Sequence, residues 1–145
     1  MAKLVKLLEG RLPVIEAIAG PAFVPLGQWQ GEPRVLLGPA DDPGALVGKF
    51  DRLEAIAVEF PQFTDGRGFS IARLLRERYG FKGEIRAVGD VLRDTLFYLS
   101  RCGFDAFELK DQAHLEESLA GFADFSEGYQ ASVERPQPLF RRRVA

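Results

Sequence analysis

Two periods alternate along the chain. Short runs that change character every second residue are followed by stretches in which apolar residues return every three to four positions. The run "PRVLLG" ends in "PADDPG", where Asp41 or Asp42 can act as helix N-cap and Pro43 as first helical residue. Leu46, Val47, Phe50 and Leu53 then follow at helical spacing. "EAIAVEF" leads through a glycine-containing loop into a stripe of Ile71, Leu74, Leu75 and Tyr79, closed by Gly80 as a left-handed cap. After "GEIRAVG", Asp90 is placed to cap a helix carrying Leu92, Thr95, Leu96 and Leu99, which Gly103 ends. "FDAFEL" is the fourth strand-like run, and Asp111 can cap a last helix with Leu115, Leu119, Phe122 and Ala123. The pattern predicts parallel strands near residues 34–37, 55–60, 84–88 and 104–109, each followed by a helix. Strands spaced this way, with amphipathic helices between them, are built from βαβ units.

The ends carry less pattern. Residues 1–33 are rich in Gly and Pro and are compatible with a short helix, a strand, or both. The tail "YQASVERPQPLFRRRVA" predicts a strand from Tyr129 to Arg135, broken by Pro136 and Pro138. Arg141, Arg142 and Arg143 read as a solvated terminus. The whole chain, 1–145, reads as a single α/β domain with 1–33 and 126–145 as peripheral segments.

Alternation inside the strands decides between architectures. Ala55, Ala57 and Glu59 share one face, and Ile56, Val58 and Phe60 the other; Glu84, Arg86 and Val88 oppose Ile85 and Ala87. A parallel sheet buried on both sides would read as continuous apolar runs. One apolar face and one charged face instead fit helices on a single side and a concave inner face, as in half of a TIM barrel. An open flavodoxin-like sheet is the alternative. A half-barrel exposes its edges, which terminal segments or a second subunit in a homodimer would cover.

Composition narrows the chemistry. Of 145 residues, 46% are hydrophobic and 28% charged, as in an ordinary globular domain. The net charge of −2 lacks the basicity that holds nucleic acid. No apolar run reaches the length of a membrane helix, about 18 residues, and the N-terminus has no uninterrupted apolar stretch like that of a secretory signal. Cys102 is the single cysteine and His114 the single histidine, so neither a disulfide, an iron–sulfur cluster nor an ordinary zinc site is expected from this chain. The expectation is a cytoplasmic protein with no metal; no cofactor and no catalytic residue can be named.

The strand C-termini of either architecture lie on one edge, where α/β sites gather. Asp65, Gly66, Arg67, Gly68 and Ser70 fall there, as do Gly89 and Asp90. Backbone N–H groups freed by the glycines, together with the Arg67 guanidinium, suit a small oxyanion: phosphate, sulfite, sulfate or a carboxylate. The same loop also reads as a plain turn with Arg67 on Asp65. It matches neither the P-loop nor the dinucleotide fingerprint. Arg86, in mid-strand, reads as an ion pair with Glu59 or Glu84, Glu59 foremost, or as the floor of an anion pocket. Asp90 reads first as a helix cap, Cys102 as a small buried hydrophobe, His114 as a surface residue, and Trp29 as a cover for the core.

The stretch "FPQFTDGRGFSIARLLRERYGFKGEIRAVGDVLRDTLFYLSRCGFDAFEL", Phe60 to Leu109, resembles a bacterial family of unknown function whose label is an oxidoreductase involved in sulfite reduction; "VPLGQW" adds to the likeness. The matching positions are Asp65, Gly66, Arg67, Gly68, Ser70, Arg73, Arg86, Gly89, Asp90, Arg101, Cys102, Gly103 and Asp105. The first 20 residues look unlike the family pattern. The resemblance implies an accessory protein or small oxidoreductase of assimilatory sulfite reduction. The alternative it leaves open is a non-catalytic partner or scaffold for a sulfite reductase subunit.

Overall fold

The computed structural model describes residues 2–8, 12–62 and 66–123. The expected tail strand and terminal arginines lie outside them. Seven strands make one sheet: β1 (Lys3–Leu7), β2 (Pro13–Ala17), β3 (Val24–Pro25), β4 (Arg34–Leu37), β5 (Ala55–Phe60), β6 (Glu84–Gly89) and β7 (Ala106–Phe107), in the order β2-β1-β7-β6-β5-β4-β3. From β3 to β7 every pairing is parallel and neighbours in space are neighbours in sequence. The β1–β2 hairpin adds on antiparallel to β7. Residues 1–33 thus supply three strands and one 3-10 turn and no α-helix among the described residues.

The four expected parallel strands, β4 to β7, fall where the alternation placed them, and β3 adds a fifth. Of the four, β7 is shorter than expected, although Glu108 N–H still bonds to the Ala87 carbonyl at 2.9 Å. The connections depart further. After β4 there is no α-helix but two 3-10 turns, Pro43–Leu46 and Phe50–Arg52. Asp42 does cap the first, accepting from Gly44 N–H, while Asp41 accepts from Gly38 N–H. Two glycines, Gly44 and Gly48, interrupt this stretch and cost helix stability; Val47, counted in the stripe, is exposed. After β5, α1 (Arg67–Arg73) widens into a π-helical turn over Leu74–Arg78, and Gly80 turns left-handed as expected. After β6, a 3-10 turn (Arg93–Thr95) enters α2 (Leu96–Cys102), which Gly103 ends. Two short helices, α3 (Leu115–Ser118) and α4 (Ala120–Ala123), follow β7.

One cluster of buried side chains joins a single face of the sheet to the connections. Val5, Val35, Leu37, Ile56, Val58, Phe60, Ile85 and Phe107 meet Leu46, Ile71, Leu75, Leu96 and Leu99. Fully burying side chains of this kind stabilises by about 1.5–3 kcal/mol each. Cys102 belongs to this core, and Trp29 packs against it from outside with its indole N–H on the Glu32 carbonyl at 2.7 Å.

Arg76, which the sequence pattern does not single out, fastens the amino ends of β6 and β7. Its guanidinium donates to the carbonyls of Gly103 (2.9 Å), Phe81 (2.9 Å) and Gly83 (2.7 Å) and lies 3.6 Å from the Asp105 carboxylate. Asp105 in turn accepts from Ile85 N–H at 2.8 Å. Among the family-like positions, Gly103 and Asp105 therefore have structural work at the edge opposite the strand C-termini.

Candidate functional site at the strand C-termini

Phe60, the last residue of β5, joins the two glycine segments. It stands opposite Gly89 in the β5–β6 register. Gly68, in the first turn of α1, lies over its ring: a Cβ there would come within 2.6 Å of the ring carbons. Gly89 takes φ +94°, a conformation L side chains rarely adopt, and a Cβ there would run into the Phe60 carbonyl. Both glycines thus permit close approach to one aromatic residue, and the Asp90 N–H closes the junction on the Phe60 carbonyl at 2.7 Å.

The carboxyl edge around this junction is polar. Gly66, Arg67 and Ser70 are exposed and Gly68 is buried. Asp65 lies outside the described residues. Asp90 does not cap a helix: its carboxylate meets Lys110 at 3.3 Å, and the turn entering α2 starts three residues on, after Leu92 in extended conformation. The extended Leu92 and the Val91 carbonyl explain the difference, because that carbonyl accepts from the Lys110 N–H at 3.0 Å before the chain can coil.

Arg86 lies elsewhere. It is 4% exposed, on the face away from the helices, and its guanidinium donates to Glu84 at 2.8 Å and Glu108 at 3.0 Å. Glu59, the foremost expected partner, is exposed. The register accounts for this: Arg86 pairs with Ala57 and Ala106, whereas Glu59 stands opposite Val88, two residues along. Lys6 from β1 reaches Glu84 at 3.4 Å, so two cations and two carboxylates balance. Phe23 sits under both Arg86 and Arg34, with guanidinium carbons 4.9 and 5.3 Å from its ring centre. Arg34 also holds the overlying segment through the Ala19 and Pro21 carbonyls at 2.9 and 3.3 Å. The network is an ion cluster with its charges matched, separate from the Phe60 junction.

Cys102 is fully buried, and burial pushes its thiol up from the ordinary range, against the opposing pull of the nearby Arg73 and Tyr98. The cationic neighbour is Arg73 from α1 rather than the adjacent Arg101, a contact that only the packing of α1 on α2 creates. His114 is on the surface as expected. It is held by Asp111 (Nδ1 to carboxylate, 2.9 Å), which raises the imidazole pKa and lowers that of the carboxyl. Among the described residues no group of His, Cys, Asp and Glu side chains is arranged to hold a metal ion, and no helix is long and apolar enough to cross a membrane.

Residues 34–140 match the model of a family described as "Bacterial protein of unknown function (DUF934)". The chain belongs to this family. The DUF934 match takes in the Phe60 junction, Arg86 and Cys102 and begins at β4, leaving β1, β2 and β3 outside it. Neither a curated protein nor a solved structure matches the chain.

Proposed function

We propose that this DUF934 protein is an accessory protein of assimilatory sulfite reduction that holds a small oxyanion at the carboxyl edge of a half-barrel-like sheet. The observation carrying the reading is the Phe60 junction. It sets the first turn of α1, in which Gly66, Arg67 and Ser70 are exposed, beside Gly89 and Asp90; Arg67 would supply the positive charge, Lys110 being paired with the Asp90 carboxylate. N–H groups at the start of a helix and an arginine fork suit a tetrahedral or pyramidal oxyanion. The unbroken sequential order of the parallel strands supports half-barrel winding; a flavodoxin-like order would reverse at a switch point. Isothermal titration of sulfite and sulfate into the full chain tests the reading. Binding in the millimolar range that weakens at least fivefold in Arg67→Lys supports it, and equal affinity in the two proteins refutes it.

A second reading, a non-catalytic partner docking on a sulfite reductase subunit, is favoured by β2, whose outer edge pairs with no strand among the described residues. The visible spectrum of the natively purified protein separates a redox enzyme, which shows flavin or haem absorbance, from a colourless partner that co-purifies with the reductase.

A further inference from the structure

A cavity of about 240 Å³ opens where the β6–α2 and β7–α3 connections meet. Its apolar lining is Val91, Leu92 and Leu109, with Val91 and Leu109 almost fully buried. Its polar lining comes from two separate segments: Arg93 on one, and Asp111, His114, Glu117 and Ser118 of the segment that ends in α3 on the other. Arg93 and Glu117 share this cavity yet form no ion pair with each other or with any other described residue. The Asp111–His114 pair fixes Nδ1 of the imidazole, so the ring's remaining nitrogen, Nε2, is the one available to a ligand.

Opposite charges that line one cavity without meeting can each receive the complementary charge of a ligand. Anion binding alone would set the ligand against Glu117 and Asp111; cation binding alone would set it against Arg93 and a protonated His114. We infer that this cavity is a site for a small zwitterion of the α-amino acid class, its carboxylate on Arg93 and His114, its ammonium on Glu117 and Asp111, and a short apolar side chain on Val91 and Leu109. At about 30 Å³ per water molecule the cavity has room for about eight waters, so a small amino acid fits with water left beside it. A guanidinium and a carboxylate that are solvated when the site is empty lose little in exchanging water for the ligand, which sets affinity in the millimolar range rather than below it.

The inference does not rest on the oxyanion reading, because the cavity shares no residue with the Gly66–Ser70 turn. The test is amide-resolved NMR titration of the full chain with L-alanine and L-serine as zwitterions and with acetate and methylammonium as the separate halves. The expected result is saturable shifts at Leu92, Arg93, Ala113 and His114 with either amino acid, at least tenfold weaker responses to each half, and at least tenfold loss in both Arg93→Ala and Glu117→Gln. Both side chains are exposed, so both variants fold. Gly66 and Gly68 stay unmoved. Acetate binding as tightly as L-alanine, no saturable shift with either amino acid, or undiminished binding in both variants overturns the inference.

Discussion

Replacing Arg86 by Ala removes the centre of the ion cluster on the face opposite the helices. Breaking a buried pair by deleting one partner costs about 3–5 kcal/mol, because the remaining charge loses its counter-charge without regaining water. Two features of this site place the cost at the lower end. The Glu108 side chain is 28% exposed and can be rehydrated, and Lys6 still lies 3.4 Å from Glu84 after the change. The lost stacking over Phe23 adds about 0.5–1 kcal/mol. The expected destabilisation is therefore about 3.5–4 kcal/mol. With a urea dependence of about 2 kcal/mol per molar, the unfolding midpoint falls by about 2 M. Glu59→Gln is the control: its side chain is exposed and outside the cluster, so its midpoint stays within about 0.5 kcal/mol of wild type. A double-mutant cycle of Arg86→Ala with Glu84→Gln gives a coupling of about 0.5–3 kcal/mol. A loss below about 0.5 kcal/mol for Arg86→Ala refutes the burial argument and shows the guanidinium to be solvated.

Gly68→Ala presses a methyl into the Phe60 ring and costs about 1–3 kcal/mol by overpacking. Gly89→Ala costs more, because strained φ and a backbone clash act together, and thermal melts should rank the two in that order. Cys102, buried with its thiol pKa raised, resists a disulfide reagent in native protein and reacts once per chain in denaturant; rapid native labelling would contradict its place in the core. His114, held by Asp111, titrates above its ordinary value near 6.5, and Asp111→Asn brings the NMR midpoint back down. Because the folded His114 pKa is raised and that of Asp111 lowered, the pair's contribution to stability is complete between the ordinary carboxylate and imidazole ranges. It is lost as pH rises through the raised histidine value or falls through the lowered aspartate value.

The strands were legible because their signal is local. Alternation in "AIAVEF" and "GEIRAVG" is a property of each segment, and it gave both position and the difference between faces. The first connection was not legible in the same way. Leu46, Val47, Phe50 and Leu53 satisfy helical spacing, but apolar periodicity does not register that Gly44 and Gly48 let the chain turn instead of coil. Pairings across the sheet were the least accessible. Which carboxylate meets Arg86 depends on strand register and on the neighbour β7, and a one-face argument treats Glu59, Glu84 and Glu108 alike until that register is known. Asp90 shows the same limit: a capping residue and an ion-pair residue look identical in sequence, and Lys110 is held beside it by the pairing of β7 with β6 and by its own N–H on the Val91 carbonyl. The glycines were singled out for an anion, and the structure shows a packing reason for two of them. Gly68 and Gly89 are fitted to Phe60, a contact between segments about 20 residues apart in sequence that no short motif records.

The most direct test of the oxyanion account is residue-resolved. Sulfite is titrated into isotope-labelled full-length protein while the amide signals of Gly66, Gly68 and Gly89 are followed beside those of the β1–β2 hairpin. The account predicts saturable shifts at Gly66 and Gly68 at millimolar sulfite, smaller ones at Gly89, none in the hairpin, and loss of the response in Arg67→Lys. Unmoved Gly66 and Gly68 signals at saturating sulfite would contradict it and leave the Gly66–Ser70 turn as a packing device around Phe60.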